Sequence, residues 1–417
     1  MERSPDLEGR QVVAEQGDLL LESEILGRIR QSKNKRITFA EFMDLALYHA
    51  AHGYYSRVGQ KLGPRGDFYT SPEAHPVFGV LVGQQLEQMW QIMGRPERFT
   101  VVEMGAGSGA MCYQIWQHAL ASEFCTSLRY IIVEKSADLA SRQREKLRGL
   151  PIQAGRVAWF EPANDSPLPR DVVGCFLSNE LVDAFPVHRV TVQSGRLREI
   201  FVGEADGKLV EVVGEPSTPD LEAYFGELSI RLDEGCVGEV NLKSLEWLRG
   251  VGDALSAGFV VTIDYGFAAE ELYSAKRRQG TLMCYYRHTH GQNPYMRVGK
   301  QDMTAHVDFT SLIRTGRAVG LKFTGMVSQG EFLTNLGLEA YMAALDEKRV
   351  SSAAYYNNRF AMRGLANPDG LGRFKVLVQH KGLIEPALDC FNPCNDRKRK
   401  MAVGLEPLKV PLMEPQG

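Results

Sequence analysis

Glu103-Met104-Gly105-Ala106-Gly107-Ser108-Gly109-Ala110 sets a carboxylate two residues ahead of alternating glycines. Glycines at that spacing let the backbone turn tightly and approach a ligand closely. Gly105-x-Gly107-x-x-Ala110 also satisfies the looser dinucleotide fingerprint, so the loop alone leaves two ligand classes open. Glu103 distinguishes them. A carboxylate there is a poor neighbour for a pyrophosphate, which seeks helix N–H groups and no added negative charge. It suits the ammonium of an amino-acid end, reached directly or through water. Glu134 stands 25 residues past Gly109 and can accept hydrogen bonds from both hydroxyls of a ribose. Two plainer roles compete: a solvated strand-end charge for Glu103, and an ion pair with Lys135 or Arg129 for Glu134.

An amino-acid nucleoside with a sulfonium and no phosphate meets these requirements, and S-adenosylmethionine is that ligand. Its expected contacts are Glu103, Gly105, Ala106, Gly107, Gly109 and Glu134. Val157–Phe160 ends where an adenine ring would lie, so Trp159 either stacks on that ring or packs in the core. Asn179, Glu180 and Asp183 follow another apolar strand, and ligands bind at the carboxyl ends of parallel strands. Two carboxylates beside a transferable methyl suit a cationic, proton-losing nucleophile. A guanidinium fits, because carboxylates grip it bidentately and favour loss of its proton as a bond forms. The alternative is that Glu180 and Asp183 only cap a helix start.

The elements that must position these groups read as α/β. Apolar runs at Phe99–Met104, Leu128–Val133, Val157–Phe160, Val172–Leu177, Gly258–Ile263 and Phe374–Val378 look like strands of a parallel sheet buried on both faces. Helices at Gly109–Ala121 and Ala137–Leu147 alternate with them, the pattern of a doubly wound, Rossmann-like sheet. Residues 1–95 form an N-terminal helical part. Within it, Thr38-Phe39-Ala40-Glu41 is a capping box opening a helix over 39–51, and a further helix runs from about 74 to 93. The core spans 96–380. One insertion covers 187–235 and opens with a hairpin around Ser194-Gly195. Another, at 265–305, is a long aromatic loop that reads as a lid. Residues 381–417, Pro-rich and carrying Arg397-Lys398-Arg399-Lys400, read as a disordered tail.

Bulk properties exclude several classes. The chain has 417 residues and a net charge of −3, so no overall basic field exists to hold a nucleic-acid backbone. No apolar run is long enough to span a membrane. The start, Met1-Glu2-Arg3-Ser4-Pro5-Asp6, resembles neither a secretory signal nor an Arg-rich transit segment, so a bacterial cytoplasm is expected. The seven cysteines are scattered without a CxxC pair, which fits reduced thiols. His288, His290, His306 and Cys284 lack metal-ligand spacing. His306 is expected to orient its loop by bonding Asp308.

Several further motifs occur in one order along the chain: His52-Gly53-Tyr54-Tyr55, Gly66-Asp67-Phe68-Tyr69-Thr70-Ser71-Pro72-Glu73, the glycine loop, Ser178-Asn179-Glu180-Leu181-Val182-Asp183-Ala184-Phe185-Pro186, Asp264-Tyr265-Gly266, Gly280-Thr281-Leu282 and Thr304-Ala305-His306-Val307-Asp308-Phe309. In these the chain resembles the MidA-like methyltransferases over about residues 36–380. The resemblance implies a seven-stranded class I fold with N-terminal and mid-chain insertions, and S-adenosylmethionine as methyl donor. It makes Asp67, Thr70 and Ser71 candidates for a loop closing over the cofactor, as an alternative to a structural turn. Mitochondrial members dimethylate an arginine on a respiratory complex I subunit, so a protein arginine is the implied acceptor, with no nucleic acid involved. Met283-Cys284 after Gly-Thr-Leu and Ala106-Gly107-Ser108 in the loop depart from the family pattern and bear on the acceptor, not on cofactor binding. Other readings are a factor that binds the cofactor without turnover, a small-molecule methyltransferase, and an NAD-dependent oxidoreductase, which Glu103 disfavours.

Overall fold

The computed structural model describes residues 17–57, 70–148, 155–160, 168–287, 289–391 and 410–413. Seven strands form the central sheet: β1 (Phe99–Met104), β2 (Leu128–Val133), β3 (Val157–Phe160), β4 (Val172–Asn179), β5 (Leu255–Asp264), β6 (Lys322–Ser328) and β7 (Lys375–Lys381). Their order is β6-β7-β5-β4-β1-β2-β3. The β1, β2, β3, β4 and β5 neighbours pair in parallel, whereas β7 runs antiparallel to both β5 and β6. The apolar run containing β7 therefore reported burial on two faces and not strand direction. Two hydrophobic layers cover the sheet. Phe78, Ile115, Trp116 and Tyr130 pack on one side, and Phe176, Leu248, Val260 and Phe309 on the other.

The order reverses between β1 and β4. The chain leaves β1 toward β2 on one side and returns to β4 on the other, opening a crevice at their carboxyl ends. The glycine loop and the Asn179–Asp183 segment both lie there.

A second, antiparallel sheet holds Arg36–Thr38, Arg196–Ala205, His188–Gln193 and Val237–Val240 in that order, with Lys208–Gly214 also paired to Arg196–Ala205. The hairpin turns at Ser194-Gly195, both at positive φ. Helices Leu19–Gln31 and Phe39–Tyr48 pack on this sheet through Leu21, Ile25, Phe42 and Val202. Thr38 and Glu41 form the capping box: the Glu41 N–H donates to Thr38 Oγ1 at 3.1 Å and the Thr38 N–H to Glu41 Oε2 at 2.8 Å. That helix stops at Tyr48, because His49 leaves the helical backbone at ψ 129.

Other boundaries differ from the sequence expectation for physical reasons. The helix expected over 74–93 is two, Ser71–Ala74 and Val77–Ile92. Pro76 forces the residue before it out of the helical region, and His75 is extended at φ −161, ψ 136. Residues 265–305 are not a loop. They contain the helix Ala269–Leu272 and a small sheet in which Met283–Tyr286 pairs with Thr289–Gly291 and Asp302–Thr304. The start of the assumed tail is also ordered. Leu388 and Cys390 are buried, the Cys390 N–H donates to Gln85 and Asn335 Nδ2 donates to the Cys390 carbonyl. Among the described residues no helix is long and apolar enough to cross a membrane, and no group of histidines, cysteines and acids could hold a metal ion.

Candidate active site

A cavity of about 1460 Å³ opens at the β1/β4 crevice. One wall is the glycine bend. Gly105, Gly107 and Gly109 have φ of +70, +53 and +79. An L side chain is strained there, and a Cβ on Gly105 would also stand 2.8 Å from Leu181 Cδ1. Gly105, Ala106 and Gly107 line the cavity. Gly109 does not; it is the N-cap of the helix Ala110–Ala119 and faces the Gln143 side chain.

Glu103 lines the same wall, with 1% of its surface exposed. Burial lifts its carboxyl to about 7, even though the Tyr130 hydroxyl donates to Oε2 at 2.8 Å. A buried acid of this kind is stabilised by a cation that enters beside it. Glu134, at the end of β2, is held by the Ser136 N–H at 2.9 Å and by Gln143 Nε2 at 3.1 Å. Gln143 also donates to the Gly107 carbonyl at 2.9 Å, tying Glu134 to the glycine bend. Left-handed glycines, a buried carboxylate and a braced second acid fit the amino-acid and ribose ends of S-adenosylmethionine.

Two further expected cofactor contacts, Trp159 and Ser71, do not line the cavity. The Trp159 indole N–H donates to Gln143 Oε1 at 2.9 Å and its ring lies under Arg144. The indole thus braces Gln143 from behind. The aromatic facing the cavity near the bend is Trp247, whose Nε1 lies 3.1 Å from Met104 Sδ. Thr70 lines the cavity, but the Ser71 side chain is buried and donates to Gln329 Oε1 at 2.9 Å. Asp67 lies outside the described residues.

The other wall follows β4. Asn179, Glu180 and Asp183 all line the cavity. Glu180 has φ +52, an uncommon value for a residue with a side chain and one that costs about 1–2 kcal/mol. The turn is held from outside. The Glu180 N–H donates to the Ile263 carbonyl at 2.9 Å. Buried Asp264 accepts from the N–H groups of Val182 at 3.0 Å and Asp183 at 3.3 Å. Asp264 therefore orders this segment rather than meeting substrate, and its other oxygen accepts from the Tyr265 N–H at 2.9 Å.

Glu180 Oε1 accepts from Asn179 Nδ2 at 2.9 Å and from the Ser71 N–H at 3.4 Å. Burial, reinforced by the charge of Asp183, still raises Glu180 to about 8. Burial likewise raises Asp183, against the hydrogen bond it accepts from Tyr265. Asn179 Oδ1 and Asp183 Oδ1 are buried without a hydrogen-bond partner among the described residues. Such acceptors are costly unless a ligand donates to them.

Residues distant in sequence complete this wall. Tyr48 and Tyr55 are stacked, with ring centroids 5.3 Å apart at 23°. The Tyr48 hydroxyl donates to the Ala184 carbonyl at 2.9 Å, and the Tyr55 hydroxyl to Asp302 at 2.9 and 3.1 Å. Tyr265, Tyr285 and Thr304 line the same cavity. None of these was singled out for chemistry from sequence; Tyr55 and Thr304 sit in motifs that carried the family resemblance. His306 does not bond Asp308. Its ring packs between Tyr265 and Phe267 with Nδ1 lacking a partner among the described residues, while Asp308 caps the helix Phe309–Ala318 and accepts from Tyr224.

A sheet of this order with β7 alone reversed, carrying a glycine bend after β1 and an acid at the end of β2, is that of a class I S-adenosylmethionine-dependent methyltransferase. The family model for S-adenosyl-L-methionine-dependent methyltransferases of the MidA-like type matches residues 81–327, and the chain belongs to that family. Mouse protein arginine methyltransferase NDUFAF7, mitochondrial, is 28% identical over 375 residues, covering 83% of this chain and 82% of the relative. The NDUFAF7 homolog of Drosophila melanogaster is 26% identical over 391 residues, covering 85% and 84%. A protein from Burkholderia thailandensis, in a crystal structure bound to S-adenosyl-homocysteine, is 32% identical with a TM-score of 0.81, covering 89% of this chain and 94% of that one. The cofactor is S-adenosylmethionine, and the oxidoreductase reading falls away.

Proposed function

We propose that this methyltransferase acts on a protein arginine. The observation that carries the reading is the set of buried acceptors on the β4 wall: Glu180, Asp183 and Asn179 Oδ1, the last two with acceptor atoms left open among the described residues. A guanidinium is their complement, since it carries five N–H donors and no acceptor. Its planar fork also suits paired carboxylates and tyrosine faces better than a compact ammonium does. The names of the NDUFAF7 relatives support the same acceptor. A respiratory-complex subunit, the target implied by the family resemblance, is the first protein to test.

When bound, S-adenosylmethionine supplies a sulfonium-activated methyl. Glu180 and Asp183 hold the guanidinium so that one terminal nitrogen faces that carbon, and placement provides most of the acceleration. As the nitrogen lone pair forms the N–C bond, the C–S pair goes to sulfur and the nitrogen's proton passes to Glu180. Only ionised Glu180 can take that proton. Its burial keeps it protonated near neutrality without substrate, and the incoming cation favours the charged form.

The test is transfer of tritiated methyl from S-adenosylmethionine into the proteins of a cell lysate, followed by amino-acid analysis of the hydrolysate. Label in methylarginines supports the reading. Label confined to other amino acids or to small molecules, or no transfer at all, overturns it.

A further inference from the structure

We infer that Asp302, locked by Tyr55, is a substrate-binding carboxylate that selects the guanidinium, so that the N-terminal helical layer forms part of the specificity site. This rests on the arginine reading above. Asp302 lies in the strand Asp302–Thr304, far along the chain from β4, yet it lines the same cavity and is 2% exposed. Its charge acts on Glu180, Tyr48 and Tyr285, all of which line this cavity. A cluster of acids alone would not make a site. Here the neighbouring Asp183 Oδ1 and Asn179 Oδ1 are also buried on this wall and lack a donor among the described residues.

The orientation of Asp302 is over-determined. The Tyr55 hydroxyl donates to both of its oxygens, and the Met303 N–H donates to Oδ1 at 2.9 Å. Together these bonds fix the plane of the carboxylate. Tyr55 is fixed in turn by stacking on Tyr48, whose hydroxyl is tied to the Ala184 carbonyl beside Asp183. Two tyrosine rings and a fixed carboxylate thus line the same cavity as Glu180 and Asp183. Glu180 takes the proton. Asp302 supplies recognition, and Tyr55 is its positioning residue.

The experiment titrates acetyl-arginine methylamide into the full chain saturated with S-adenosylhomocysteine, with acetyl-citrulline methylamide as the uncharged isostere. The wild type should prefer arginine. Asp302→Asn should weaken arginine binding about tenfold, the scale of a lost charge-assisted bond, while leaving S-adenosylhomocysteine affinity unchanged. Tyr55→Phe, a milder change that keeps the ring stack, should lower the arginine-to-citrulline ratio about threefold; a purely structural defect would weaken both ligands alike. Equal arginine affinity in wild type and Asp302→Asn would overturn the inference and leave the arginine reading standing. If Asp302→Asn does not fold, an unchanged ratio in Tyr55→Phe overturns it. A wild type that binds citrulline as well as arginine sinks the arginine reading itself.

Discussion

The glycine-bend wall comes from residues 103–108 and 134, at one β–α–β unit, whereas the wall along β4 draws Tyr48, Tyr55, Asn179, Glu180, Asp183 and Asp302 from three separate parts of the chain. The first wall is mostly backbone, set by left-handed glycines, with two acids added. The second is mostly side chains, set by stacking and hydrogen bonds between elements that meet only in the folded protein. A ligand common to a whole fold class can be held by local backbone geometry. A particular acceptor has to be read by side chains, and these can change without disturbing the sheet.

This contrast can be broken at either wall. The largest effect is expected for Gly105→Val. Its φ of +70 excludes a β-branched residue, and its Cβ would crowd Leu181. Calorimetry should show S-adenosylhomocysteine affinity falling by more than about a hundredfold, as the bend can no longer approach the ligand. Retained affinity would mean that the bend is not the cofactor wall.

Next is Glu103→Gln, which keeps an acceptor for the Tyr130 hydroxyl and removes the charge. S-adenosylmethionine should bind about tenfold more weakly, the scale of one charge-assisted hydrogen bond. No change would place the ligand's ammonium elsewhere.

The pH dependence sharpens the other wall. Glu180 is raised to about 8, so it is protonated at pH 6 and ionised above its pKa. Proton transfer needs the ionised form, so kcat/KM for the acceptor should climb between pH 6 and 8 and then level off. The sulfonium favours the carboxylate, so the apparent midpoint in the cofactor complex should lie at or below that value. A rate that falls as pH rises through this window would exclude Glu180 as the base. The smallest effect is expected for Trp159→Phe. Its indole faces Gln143 rather than the cavity, so cofactor affinity should stay within about threefold of wild type. A loss beyond tenfold would restore Trp159 to the adenine site.

Legibility in the sequence followed the same division. The strands β1, β2 and β3 stand at the expected residues, because short apolar runs between turn-forming segments are local signals. Glu103, Gly105, Ala106, Gly107 and Glu134 come together at the expected crevice because the β–α–β unit fixes them at known offsets. The sequence leaves Trp159 open between adenine stacking and core packing, because strand position gives depth in the sheet but not the direction of an indole; the structure packs it against the core. Asp264 is a sequence-distant brace: its buried oxygens accept from the N–H groups of Val182, Asp183 and Tyr265. Asp302 and Tyr55 carry no helical or strand periodicity that joins them; only the packing of the N-terminal layer does. The direction of β7 was likewise hidden, since an apolar run looks the same either way.

If the two walls divide cofactor binding from methyl transfer, Glu180→Gln separates them on a single preparation. S-adenosylmethionine affinity by calorimetry and the single-turnover rate of methyl transfer should be measured together. Affinity should be unchanged, while the rate should fall by about a hundredfold or more, as for loss of a general base. A normal rate, or affinity and rate lost in equal measure, would contradict the division.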